Sequence, residues 1–556
     1  MPNKNRICLF SFLCVTILMI MSCTHKEENN NKKIFKYNES AGISTLDPAF
    51  AKDQALIWAC NQLYNGLVQL DNDLNVRPCI AKSWTISEDK LTYTFFLRND
   101  VYFHADSCFK QPRKVVAEDF VYSFNRILDE NIASPGIWIF DHIQKDTISN
   151  NKKASSNNSK ASLYSFFAKD DTTLVIRLKE PFAPFLGLLS MPYAYVVPKE
   201  AVEYYKDNFR KHPVGTGAFR FQFWKEGVKL VLLRNDNYFE KDSLGVRLPY
   251  LDGVNISFIV DKQSVFLEFI KGNIDFISGI DPNYKDEILT HKGTLQPKYQ
   301  NKINLIKQPY LNTEYLGFYL DDKNKANVLN NKLIRQAINY GFDRQKMIKY
   351  LRNNIGIAGQ KGIVPPSLLG EYSKTSKGYS YDPQKARQLL EKSGYYKTKP
   401  RVTLSTTSAY LDLCKYIQQQ LILLDMNVKL EIVPPAELRE QMAQGKSKWF
   451  RGSWIADYPD AENYLSLFYS KNFAPVGPNY THFSNKRFDE LYKQSTRLTD
   501  ERLRRELYSE MNDIISENAP VVVLYYDEVL RFTQKNIHGL SSNAMNLLTL
   551  KYVRKD

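Results

Sequence analysis

Histidine is scarce in this chain, with 7 residues scattered among 556. There is no His-Glu-x-x-His pair and no Gly-x-Ser-x-Gly turn, so neither a zinc-hydrolase helix nor a nucleophile elbow can be placed. The 7 cysteines include no Cys-x-x-Cys, which argues against a metal or redox site. Past residue 21 no apolar run approaches 18 residues, so the rest of the chain is not read as membrane-spanning. The formal charge is +15, but the lysines form no basic stripe, and nucleic-acid binding is not indicated. No internal repeat is found. Together these absences point away from an enzyme, and no cofactor is expected.

What is present begins at the N-terminus. Lys4 and Arg6 precede an almost continuous apolar run at 7–21, the length of a signal-peptide core. Ile20-Met21-Ser22-Cys23 follows and resembles a bacterial lipobox, which implies a signal peptide over 1–22 and lipid on Cys23. Residues 23–33 are polar and read as a flexible tether. Several acyl chains on Cys23 would hold the protein at a membrane, since one chain gives only marginal binding. The expected address is the cell envelope, periplasmic and lipid-anchored. Cys60, Cys79, Cys108 and Cys414 remain beyond the tether, and their pairing stays open.

A chain this long needs more than one core. Residues 34–190 are rich in strand-like runs such as Leu91-Thr92-Tyr93-Thr94-Phe95-Phe96-Leu97, with a Ser/Asn/Lys insertion at 149–160. Strands and turns alternate over 190–300, and from about 300 helical spacing dominates. Helices are expected at 331–350, 382–393, 410–424 and 499–518, with strands at 428–433 and 521–526. Such alternation argues for mixed α/β lobes.

The stretch Arg451-Gly452-Ser453-Trp454-Ile455-Ala456-Asp457-Tyr458-Pro459-Asp460 places opposite charges on either side of an apolar run. If the run is extended, an even offset of six points both charges to one face, roughly 20 Å apart at ~3.3 Å per residue. That spacing suits a zwitterionic chain, and it suits equally a strand with solvated ends.

Several blocks resemble the family 5 solute-binding proteins of ABC importers, the oligopeptide- and dipeptide-binding group. Thr45-Leu46-Asp47-Pro48 is similar to the family's opening. Tyr64-Asn65-Gly66-Leu67-Val68 followed by Pro78-Cys79-Ile80-Ala81-Lys82-Ser83-Trp84 matches a central signature. Pro213-Val214-Gly215-Thr216-Gly217-Ala218-Phe219 and Ile334-Arg335-Gln336-Ala337-Ile338 continue it, while His104-Ala105-Asp106 departs in one loop. The resemblance implies an α/β fold, a periplasmic-binding-protein-like two-lobe clamp (class II/cluster C type) with an extra inserted domain. Mapped onto this chain, 34–70 with 190–305 and 510–556 would form lobe I, 71–189 the extra domain, and 306–509 lobe II.

The resemblance also implies a role: capture of short peptides in the interlobe cleft and delivery to an ABC permease in the inner membrane, by a monomer. Asp457 matches the position that holds the ligand's α-amino group, and Arg451 one that can meet the carboxylate of short peptides. Gly452, Ser453 and Trp454 would offer one backbone edge, and the loop with Lys52, Asp53 and Gln54 the other. Lys323 is the expected partner for a longer peptide's carboxylate. The alternatives are a non-peptide solute, such as a nickel chelate or an oligosaccharide, or surface peptide capture without a permease.

Overall fold

The structure, a computed structural model, describes residues 32–145, 164–279, 281, 284–320 and 327–556. The leader, Cys23, the 149–160 insertion and Lys323 lie outside those residues. β-Branched and aromatic runs form strands along the whole chain. They are β1 (Ile34–Asn38), β2 (Val68–Leu70), β3 (Val76–Pro78), β4 (Ala81–Ile86), β5 (Thr92–Leu97), β6 (Phe166–Asp170) and β7 (Thr173–Arg177). β8 (Phe219–Lys225), β9 (Lys229–Arg234), β10 (Gly253–Ser257), β11 (Phe276–Ser278) and β12 (Ile303–Phe318) follow. The last to concern the site are β13 (Ile357–Ala358), β14 (Val402–Thr406), β15 (Val428–Ile432), β16 (Trp449–Ile455) and β17 (Val521–Gln534).

One sheet runs through the molecule in the order β15-β14-β16-β12-β17-β11-β1-β10-β9-β8, with β13 on β17. Its continuity depends on β12 and β17, which pair antiparallel over most of their length. The register shifts between Pro309 and Thr313. Proline has no N–H to give the ladder, and the Leu311 amide donates instead to the Ala544 carbonyl. On one side of this break β17 pairs with β11; on the other β12 pairs with β16. The two strands are therefore the connections between the lobes of a two-lobe α/β clamp.

In the second lobe, alternate residues of these strands face two separate cores. Tyr315, Phe450, Val521 and Val523 enter one, with Tyr464, Met511 and Ile515. Leu316, Trp449, Val522 and Leu524 enter the other, with Ile338, Leu404 and Ile417. The first lobe has a core around Phe35, Leu56, Leu230, Val254 and Leu550. It is continuous with the apolar face of the small sheet β4-β5-β7-β6 through Phe95, Leu174 and the helix Ala117–Leu128.

Two expectations need correction. The expected return to lobe I at 510 falls inside the helix Glu501–Asn518, whose Met511 and Ile515 belong to a second-lobe core, as do β17 residues through Tyr526. The chain crosses back only near the register break, because the crossing is made within a continuous strand and no change of element marks it. The helix expected over 331–350 is two helices, Lys332–Tyr340 and Arg344–Leu351, separated at Gly341-Phe342-Asp343. Cys60, Cys79, Cys108 and Cys414 are all unpaired thiols. No helix among the described residues is long and apolar enough to cross a membrane.

Candidate ligand-binding cleft

β16 is paired along its whole length on one side and at a single position on the other. Against β12 it runs in register from Trp449↔Phe318 to Ile455↔Asn312. On its other side β14 meets it at a single position, Ser405↔Phe450. Tyr319 N–H donates to Lys448 O, and Ala456 N–H to Leu311 O. Antiparallel ladders alternate, so between these bonds the even-numbered residues exchange with β12. Ser453 and Ile455 then direct their N–H and C=O groups away from it, and both residues are exposed. An extended chain can add to such an edge without regard to its side chains.

Gly452 lies opposite Tyr315, and a Cβ there would sit 2.8 Å from the phenol ring. The glycine lets the ring cover the strand. Trp454 is half-buried on the core, and its indole N–H donates to Asn463 Oδ1 at 2.8 Å.

Asp457 stands two residues beyond the end of β16, so strand parity does not set its direction. A turn does: its amide donates to the same Asn463 Oδ1 at 3.3 Å. The side chain is solvent-accessible, yet surrounding protein desolvates it and pushes the carboxyl above its usual range, while an Asn463 hydrogen bond pulls it back. No cation pairs with it among the described residues. Burial, then Asp457, then Asp53 push the Tyr193 phenol up to about 12, which places the 52–54 loop and Asp457 within electrostatic reach of one ring.

On the first-lobe side, Lys52, Asp53 and Gln54 are exposed. Asp53 caps the helix Gln54–Leu63 by accepting from Leu56 N–H at 3.2 Å. Gln54 lines a cavity of about 400 Å³ together with Tyr310, Arg352, Asp527 and Glu528. A cavity of about 710 Å³ opens between the lobes beside Tyr458 and Asp460, against Asn72, Ala183 and Gly187.

Arg451 is not the free cation that the spacing suggested. Its guanidinium is ion-paired with Glu314, with side-chain exposures of 12% and 3%. Diagonal neighbours across the β12–β16 ladder share a face, so the register that pairs Ser453 with Glu314 also brings Arg451 to it. The Tyr410 ring covers the guanidinium at 3.2 Å from centroid to Cζ. Asn312 Nδ2 donates to Glu314 at 3.2 Å and to Asp527 at 3.3 Å, and Arg352 meets Asp527 at 2.6 Å. Asn463, Glu314, Tyr410 and Asn312 were not expected from sequence. Only Glu314 carries a visible signal, the single charge between Leu311 and Phe318 in the run that becomes β12.

Two α/β lobes on two crossing strands, having between them an open strand edge and a carboxylate that pairs with no cation among the described residues, define an extracytoplasmic solute-binding clamp. The model of the bacterial extracellular solute-binding proteins, family 5 Middle, matches residues 75–475, and the chain belongs to that family. Dipeptide-binding protein DppE of Bacillus subtilis is 26% identical over 546 residues, 96% of this chain and 93% of that one. Glutathione-binding protein GsiB of Salmonella typhimurium is 26% identical over 516 residues, 90% of each. Among solved structures, the periplasmic binding protein DppA of Helicobacter pylori, in complex with the peptide STSA, superposes with a TM-score of 0.72 at 27% identity. That match covers 94% of this chain and 98% of the other.

Proposed function

We propose that the protein captures short peptides in the interlobe cleft, seats the α-amino group against Asp457, and hands the peptide to an ABC permease of the inner membrane. It works outside the cytoplasm as a monomer, tethered by lipid on Cys23. One observation carries the reading: a desolvated, solvent-reachable carboxylate, without a cation among the described residues, stands beside an open strand edge. A protonated amine gives Asp457 its missing counter-charge, and the backbone that follows can pair with Ser453 and Ile455. The 52–54 loop faces the ligand from the first lobe. Ligand favours the closed arrangement by touching both sides.

Calorimetry with a pool of unblocked di- to pentapeptides tests this. Binding should be abolished by N-acetylation and weakened about tenfold or more by Asp457→Ala, roughly 1.4 kcal/mol. Equal affinity for acetylated peptides would remove the amine anchor. Mass spectrometry of ligand co-purified with the protein separates a peptide pool from glutathione or a non-peptide solute.

A further inference from the structure

We propose that Glu314 sets ligand specificity by neutralising Arg451, so that di- and tripeptides bind without a carboxylate anchor and are read from the amino end alone. The inference rests on the peptide reading above. Arg451 is the basic residue on the open-edged strand, and its guanidinium is occupied by Glu314 from the neighbouring strand and covered by Tyr410. Arg451 and Arg352 against Glu314 and Asp527 leave the cluster formally neutral. Asn312 ties the two acids together.

A ligand carboxylate arriving here would place a second anion next to Glu314 around one guanidinium, and like charges sharing a site repel. Separating Arg451 from Glu314 instead would leave a carboxylate that is 3% exposed without its partner, which is the costly way to break a buried pair. The Arg451 Nε–H has no acceptor, but it is buried. The cleft is thus built to let the backbone continue past Arg451.

The test uses dialanine and trialanine, each as free acid and as C-terminal amide, with N-acetyl-trialanine as control, titrated into the full-length mature protein by calorimetry. Acid and amide should bind within fivefold of each other, while the acetylated peptide does not bind. In Glu314→Gln, Arg451 loses its counter-ion, and the acid-to-amide affinity ratio should rise at least tenfold. An amide more than fivefold weaker than its acid on the wild-type protein overturns the proposal while leaving peptide binding intact. So does a Glu314→Gln variant with an unchanged ratio. Failure of every peptide to bind overturns the peptide reading itself, and the proposal with it. Should Glu314→Gln not fold, the wild-type comparison still decides.

Discussion

The Asn463 side chain is buried, and its carbonyl oxygen accepts from both the Trp454 indole and the Asp457 amide. Its amide group is left to face the Asp457 carboxyl, whose acidity it restores in part. One residue therefore fixes the end of the strand and the aim of the charge beyond it. Asn463→Ala should cost about 1 kcal/mol, because the half-buried indole N–H loses its acceptor. The urea midpoint should fall with an unchanged slope, and peptide affinity should fall with it. A loss of stability at unchanged affinity would confine Asn463 to the fold. Asp457 was visible in the sequence as a charge that follows an apolar run. Asn463 was not, since an asparagine six residues on resembles any loop residue until the turn brings it back.

Among the elements, those with one buried face were readable from sequence. The strand expected at 428–433 is β15, and the helix expected at 499–518 is Glu501–Asn518. β12 was hidden for a physical reason. From Leu311 to Phe318 it is buried on both faces, so period-two alternation vanishes, and Pro309 interrupts the run. The site depends on that strand, because it delivers Glu314 to Arg451. The split of the 331–350 segment was also missed: apolar spacing continues through it, but Asp343 restarts the helix by accepting from Lys346 N–H at 3.0 Å. Asp343→Ala should destabilise by about 1 kcal/mol through loss of this cap, read as a lower denaturation midpoint with peptide affinity unchanged. A midpoint within error of the wild type would mean that the second helix does not need its own start.

At the scale of the whole molecule, the loop after Asp457 joins the lobes. Tyr458 comes from the second lobe but packs into the first-lobe core, beside Trp138 at 6.3 Å between ring centroids. Ala183 N–H donates to Thr496 O at 2.8 Å across the same gap, and Glu180 meets Arg497 at 3.5 Å. Beneath this contact Glu462 is buried and accepts from the hydroxyls of Tyr458 and Tyr492, close to the Asp460–Arg504 ion pair. Burial pushes the Glu462 carboxyl up to about 7 from an ordinary 4.5, against the pull of the two hydroxyls. A raised folded-state value means that the native protein holds this proton more tightly than the unfolded chain. The contribution is therefore complete below pH 4.5, declines as pH rises, and is lost by about pH 7, a change of about 3 kcal/mol. His104 and His142 act in the opposite sense. Burial lowers both to about 4, so their contribution is complete above 6.5 and declines as pH falls towards 4. The wild-type profile between these limits sums opposing slopes, and a difference between two proteins isolates one of them. Glu462→Gln cannot titrate, so its stability relative to the wild type should improve by about 3 kcal/mol between pH 4.5 and 7.5 in urea denaturation. A difference that stays constant across that range would show that Glu462 keeps its charge beneath the loop, and that the tyrosine hydroxyls outweigh its burial.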